Sequence, residues 1–294
     1  THGTFFGVGA VVATGLVAED RKASAISIMF AGLTLATLLG MPAGAWLGLH
    51  LGWRSTFWAM SAVGVVSFLI IAALVPRSRD DSAPVPLRSE LATIVRPQVL
   101  LGLLMTMLGF AGVFVVITFI QPLLTQVSGF TDAAVSPILL VFGGGMVVGN
   151  LLGGRLADSR ATPALLATLA ALAIVLGVMS FVLHNPVAMV AFVGVLGIAA
   201  FATVSPLQLR VLRFAQGPGQ NLASSFNIAA FNLGNAMGAW LGGVVIDRGP
   251  GLSSLTWVAA TVTVSGLLVA LWSVHLERTR THASLPADCV PDNA

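Results

Sequence analysis

The sequence predicts an all-α transmembrane bundle of nine spans, and three observations carry that prediction. Hydrophobic residues make up 56% of the 294-residue chain and charged residues only 9%, where a soluble domain carries about 25% charged residues. Apolar runs fill residues 2–18, 24–49, 54–75, 98–125, 133–157, 161–183, 186–207, 220–246 and 252–275, and most reach the roughly 20 residues that a helix needs to cross hydrocarbon. The basic residues fall in alternate gaps. Arg21, Lys22, Arg77, Arg79, Arg88, Arg96, Arg155, Arg160, Arg210, Arg213, Arg278 and Arg280 lie on one side, and only Arg54 and Arg248 on the other. Loops that stay in the cytoplasm are enriched in Lys and Arg. The rich side is therefore expected to be cytoplasmic, with the C-terminus inside and Thr1 near the outside.

The first run holds His2 in its outer part, where a lone histidine is either a helix-packing partner or a cavity group. The chain opens inside an apolar run without a starting Met, and nine spans put its termini on opposite sides. The expectation is the C-terminal part of a longer protein whose first three helices are absent. The second run carries Gly40, Pro42, Gly44 and Gly48. Glycines four residues apart share one helix face, where small residues let backbones approach closely. The third run spans 54–75. The gap at 76–97, rich in Pro, Arg and acids, suits a cytoplasmic connector along the membrane surface.

In the fourth run, Phe114, Thr118 and Gln121 form a stripe that ends at Pro122. They either line the outer half of a cavity or cap the carbonyls freed by a proline kink. The fifth run repeats the glycine spacing at Gly145, Gly149 and Gly153, and its inner end carries Gly154, Arg155 and Asp158. The sixth and seventh runs are uninterrupted. The eighth carries Gly234, Gly238 and Gly242, with Asn232 near its middle. Asn232 falls roughly 120° from the centre of that glycine face, so it can point into a cavity or bond a neighbouring helix. Asn227 and Asn235 lie nearer the glycine face and read as packing groups. The ninth run precedes a polar tail. The resulting division is 1–75, 76–97, 98–276 and 277–294: three helices, a connector, a six-helix half and a cytoplasmic tail.

An internal repeat supports two related halves. Gly44-Ala45-Trp46-Leu47-Gly48 recurs as Gly238-Ala239-Trp240-Leu241-Gly242, and the same offset relates Gly40 to Gly234 and Arg54 to Arg248. Both copies lie on spans of one direction, which makes the repeat parallel. Two six-helix halves related by an axis along the membrane normal are the arrangement of major facilitator transporters.

Several motifs resemble that superfamily directly. Asn150-Leu-Leu-Gly-Gly-Arg-Leu-Ala-Asp158 is similar to the G-x-L-a-D motif in its C-terminal copy, with Gly154, Leu156 and Asp158 matching and Ser159-Arg160-Ala161 replacing the usual Gly-Arg-Lys. Gly40-Met-Pro42-Ala-Gly44 resembles the glycine–proline motif of drug:proton antiporters. The stretches His2–Ala10 and Phe231–Asn235 look like the arabinose-efflux-permease-like subfamily. The resemblance implies a major facilitator fold lacking its first three helices. It also implies a latch at Gly154, Arg155 and Asp158 that closes the cytoplasmic side, for which the alternative is a solvated helix cap. The expected function is export of a small organic molecule by alternating access, coupled to protons in the intact, monomeric, inner-membrane protein. Sugar uptake or exchange, and a non-transporting scaffold or inactive truncated product, remain alternatives.

Other classes fit poorly. The pI near 10.4 does not signal nucleic-acid binding, because net charge is only +3 and the basic groups sit at helix ends rather than in a patch. One cysteine, Cys289, and five scattered histidines make no metal cluster, and no cofactor is expected. Catalytic motifs of the G-x-S-x-G or H-E-x-x-H type do not occur, so the chain is not read as an enzyme. The acids all fall in loops, helix ends or the tail. A proton-carrying carboxylate is therefore expected outside these nine spans. Trp46, Trp53, Trp58, Trp240 and Trp257 suit an interfacial aromatic belt.

Overall fold

The computed structural model describes residues 2–74, 86–217 and 219–283, and all regular structure among them is helical. Ser82 and Cys289, with residues 76–85 of the 76–97 connector, lie outside the described residues. The helices are α1 His2–Gly15, α2 Lys22–Leu35, α3 Met41–Leu51, α4 Trp53–Leu74, α5 Leu87–Ile94, α6 Pro97–Ile117, α7 Ile120–Pro122, α8 Asp132–Val182, α9 Pro186–Ala202, α10 Val204–Phe214, α11 Gln220–Arg248 and α12 Leu255–Ala283.

These helices combine into the predicted spans. Helices α2 and α3 run on through a π-turn at Ala36–Gly40, just before Pro42, which has no backbone N–H to donate. Helix α8 is two spans: Arg160 breaks it with extended backbone (φ −152°, ψ 87°), and Pro163 sits in the first turn of the second arm. Among the described residues, seven helical stretches are long and apolar enough to cross a membrane, counting α8 once, and the apolar helix Gly3–Gly15 is shorter. The predicted first run extends to 18, but α1 ends at Gly15. Gly52 turns the chain between α3 and α4 at φ 82°, a left-handed value that a Cβ disfavours. Asn185 starts α9, its side chain accepting from the Ala188 N–H at 3.1 Å, with Pro186 at the first helical position.

Packing is uneven. Helix α8 lies along α9, and α6 along α11 and α12, with buried leucines and valines between them. The N-terminal segment joins this body through α2 on α8 and α1 on α11. Helix α4 has no buried residue at all; Trp58 and Phe68 are exposed on it, as expected of side chains that look at lipid.

Two of the glycine ladders sit at close helix crossings. A Cβ added to Gly149 would lie 2.7 Å from Cα of Ile198, and one on Gly153 would lie 2.8 Å from Cα of Ala202, both on the α9–α10 span. Gly145 meets the same helix, with the Ile198 nitrogen 3.1 Å from its added Cβ. Gly234, Gly238 and Gly242 face α6 and the turn after it, where added Cβ atoms would meet Met107 oxygen at 2.5 Å, Val115 nitrogen at 3.0 Å and Phe119 Cε2 at 2.6 Å. The first ladder differs from expectation. Gly44 and Gly48 reach only Thr56 of α4, at 3.5 and 3.6 Å, and Gly40 has nothing within 4 Å. The repeat-related glycines thus share spacing but not surroundings, because α11 lies against α6 while this face of α3 has only α4 beside it among the described residues. The Pro42 side chain is outside the described residues.

One boundary moved with consequence. The seventh apolar run ends near 207, yet the helix resumes after a turn at Thr203 and continues as α10 to Phe214. Arg210, read from sequence as a gap residue, is therefore 5% exposed. Its guanidinium is held by Glu277 at 2.9 Å, by Ser273 Oγ at 2.9 Å and by the Phe214 ring at 4.4 Å. Ser273 in turn donates to Gln98 Oε1 at 2.5 Å, so α6, α10 and α12 share one polar cluster. Glu277, assigned to the tail, belongs to α12, which continues to Ala283. Burying a charge requires such partners.

Candidate central cavity and latch

A cavity of about 90 Å³ lies where the N-terminal segment meets the C-terminal one. Phe6 of α1 and Phe30 of α2 form one wall, their rings stacked at 5.2 Å. Phe110 of α6, Phe201 of α9 and Phe231 of α11 form the other. Phe110 organises that wall, with Phe231 edge-on at 4.6 Å and Phe201 at 6.1 Å. The two polar groups on the lining are Asn232 and Asn235. Asn232 donates to the Ile228 carbonyl of its own helix at 2.8 Å. Asn235 was read from sequence as a packing group, but it lines the cavity and its Oδ1 has no hydrogen-bond partner. Three residues along a helix turn only about 60° short of a full circle, so Asn232 and Asn235 share a face.

The other cavity candidates stand apart. Phe114 stacks on Phe110 at 6.2 Å, behind the wall. Thr118 is exposed and donates to the Phe114 carbonyl at 2.7 Å. Gln121 is exposed one turn further on and is not on this lining. The Phe114 carbonyl that Thr118 caps also accepts from the Thr118 N–H at 3.3 Å, so it is not one that Pro122 frees. The side chain of His2 is outside the described residues.

Below the cavity, at the end of the bundle where charges collect, α8 grips α2 through residues spaced four apart. Asn150 Nδ2 donates to the Ser27 carbonyl at 2.6 Å and is fully buried. Gly154 leaves room for Ser27, whose Cβ would be 2.7 Å from an added Cβ. Asp158 accepts from the backbone N–H of Ala23 at 2.7 Å and of Ser24 at 3.1 Å. The residue at the cap position of α2, Arg21, supplies no side-chain cap. Asp158 does so from a distant helix, satisfying two orphan donors and placing negative charge at the positive end of the helix dipole. Arg155 is exposed and flanks the same groove with Asp20 and Arg21.

A second, uncharged bridge joins α1 to α10 and α11. Asn227 donates to Gln208 Oε1 at 2.6 Å, Gln208 Nε2 to Ser224 Oγ at 2.7 Å, and Ser224 to the Gly7 carbonyl at 2.7 Å. The three side chains are fully buried. Sequence reading missed this bridge and the aromatic walls. The available signals were Gln208 within a helix that continues, and Phe110 one turn before Phe114.

The family model described as Major Facilitator Superfamily matches residues 1–219. The chain belongs to the Major Facilitator Superfamily. It is a multi-pass membrane transport protein of that family. Among its relatives, the inner membrane transport protein YdhP of Escherichia coli K12 is 41% identical over 273 residues, covering 92% of this chain and 69% of the relative. A chloramphenicol resistance protein of Streptomyces lividans is 33% identical, covering 90% of this chain and 67% of the relative. The crystal structure of a bacterial homologue of the iron transporter ferroportin in an outward-facing state superposes with a TM-score of 0.70 at 14% identity, covering 92% of this chain and 69% of that one. At that identity the likeness shows the major facilitator fold alone.

Proposed function

We propose that this transporter exports a small organic molecule across the bacterial inner membrane by alternating access, with the phenylalanine-walled cavity as its substrate site. The observation that carries the reading is the position of that cavity between the two segments, above an end closed by Asp158. The domain assignment is three helices of one half (1–75), a connector (76–97) and a second half from 98 whose last helix, α12, runs on to Ala283 before the tail. Asp158, Gly154 and Asn150 act as the latch that must open for the charged end to admit substrate, and the Gly7–Ser224–Gln208–Asn227 chain must part in the same step. A carrier that closes one end while opening the other couples substrate to a gradient through differential binding to the two states. The resistance protein among the relatives supports export, and the named inner-membrane relative supports location. Proton influx as the driving force, and a monomer as the working unit, rest on the family resemblance.

In energised inside-out vesicles carrying the protein, radiolabelled chloramphenicol or another uncharged drug is expected to accumulate, and an uncoupler is expected to abolish the accumulation. Retention equal to that of vesicles lacking the protein, across a panel of drugs, would reject export. The charge distribution supports a cytoplasmic position for the Asp158 end. With Cys289 replaced, a cysteine at Asn185 is expected to label with an impermeant maleimide in intact cells, and one at Ser82 only after lysis. The reverse pattern would invert the orientation.

A further inference from the structure

We infer that Gln208 and Asn227 are positioning residues for a second closure between the two segments: they aim the Ser224 hydroxyl at the Gly7 carbonyl and so fasten α11 to α1. The inference rests on the alternating-access reading and adds which side chains direct a contact that this reading requires to part. A polar vestibule of about 530 Å³ lies at the charged end, with Thr14 of α1, Asp158 of α8, Leu212 of α10 and Gln220 of α11 on its lining. On α10, Gln208 stands four residues from Leu212 on the vestibule and four from Val204 on the aromatic cavity. On α11, Ser224 stands four residues from Gln220 on the vestibule and four from Ile228 on the cavity. Residues four apart share a helix face, so Gln208 and Ser224 form the layer between the two spaces.

The direction of the hydrogen bonds in this layer follows from one atom. A carbonyl oxygen only accepts, so Ser224, at 2.7 Å, gives its single proton to Gly7. The Ser224 oxygen is then an acceptor toward Gln208, which must present Nε2, at 2.7 Å. That leaves Gln208 Oε1 to accept from Asn227 Nδ2 at 2.6 Å. Asn227 Oδ1 ends the chain buried and without a partner, a costly arrangement that marks an order imposed from the Gly7 end. Of the three bonds only Ser224 to Gly7 crosses between the segments, because α10 and α11 belong to the same one. The backbones meet at that crossing: a Cβ added to Gly7 would lie 2.6 Å from Cα and 2.7 Å from N of Ser225. This contact shares no residue with the Asp158 grip of α8 on α2.

Two near-isosteric substitutions reverse the order. In Gln208→Glu the new carboxylate cannot donate, so it draws the Ser224 proton away from Gly7. In Asn227→Asp the new carboxylate draws Gln208 Nε2, which turns Oε1 toward Ser224 with the same result. The test uses the purified full chain in nanodiscs with Cys289 replaced. Spin labels at Leu16, just past α1, and Asn221, in the first turn of α11, both exposed, report the separation of the segments. Ser224→Ala is expected to raise the long-distance population at least threefold. Gln208→Glu and Asn227→Asp are expected to match it at the alkaline end of a series from pH 6 to 9, where the new carboxyl is ionised. Combined with Ser224→Ala, neither is expected to add a further rise, since both act through that hydroxyl and coupled groups are not additive. A buried charge that merely loosened the packing would add its full effect in the double variant, and that result would overturn the inference. So would the absence of any rise in both carboxylate variants across the series, or an unchanged distribution in Ser224→Ala. Should Gln208→Glu not fold, Asn227→Asp carries the same cycle. If Asp158→Ala separates the labels while Ser224→Ala does not, the alternating-access reading stands and only this closure falls. If Asp158→Ala, Ser224→Ala and Gly7→Ala all leave the distances unchanged, the reading falls with it.

Discussion

Gly149→Leu is expected to remove nearly all correctly folded protein. The first atom of any side chain at 149 would lie 2.7 Å from Cα of Ile198, and both are backbone-anchored. Ordinary overpacking costs about 1–3 kcal/mol because neighbouring side chains can shift. At this crossing α8 and α9 must separate as rigid rods, so that range is a lower bound. Separation would also loosen the Gly145 and Gly153 contacts on the same face. Gly44→Ala is the matched control, because its added Cβ meets only Thr56 Cγ2 at an ordinary 3.5 Å. Size-exclusion profiles and thermal unfolding in detergent decide the matter. A Gly149→Leu protein as monodisperse and heat-stable as its parent would show that the α8–α9 crossing is looser than described.

Asp158→Ala is expected to open the charged end of the bundle. The carboxylate accepts from Ala23 and Ser24, and removing a helix cap costs up to about 2 kcal/mol, a shift of roughly thirtyfold in a two-state equilibrium. The loss falls only on the state in which α2 and α8 meet, so the population moves toward the opposite state. Spin labels at the exposed positions Asp20 and Ser159 should show a longer distance in the variant. Asp158→Asn keeps an acceptor and loses the charge, so an intermediate distribution is expected. Gly154→Ala perturbs the same contact independently, since its Cβ would lie 2.5 Å from Ser27 Oγ, and should lengthen the distance too. Unchanged distributions in all three variants would remove Asp158 from the latch.

Much of the architecture was legible because a bilayer imposes one-dimensional rules. Span length follows from hydrocarbon thickness, and loop charge follows orientation, so the runs at 133–157 and 161–183 could be separated although the helix assignment joins them across Arg160. Asp158 and Gly154 were legible as a motif. The identity of their partners was not: Ala23, Ser24 and Ser27 carry no unusual signature, and their role is played by backbone atoms. Arg210 was misplaced because an arginine after an apolar run reads as a loop charge. Only the arrival of Ser273 and Glu277 from α12 makes its burial tolerable.

The sequence by itself determined the helical spans, their charge asymmetry, the glycine spacings and the family. Each depends on residues near one another along the chain or on their solvent, and periodicity records such relations. The tertiary structure alone decided which glycine ladders meet another backbone, that Asn235 joins Asn232 on a cavity wall, and that five phenylalanines from five helices line the same cavity. Those outcomes depend on the rotation of each helix about its axis. In a chain apolar on nearly every face, no amphipathic stripe announces that rotation, and only the packing of neighbouring helices selects it.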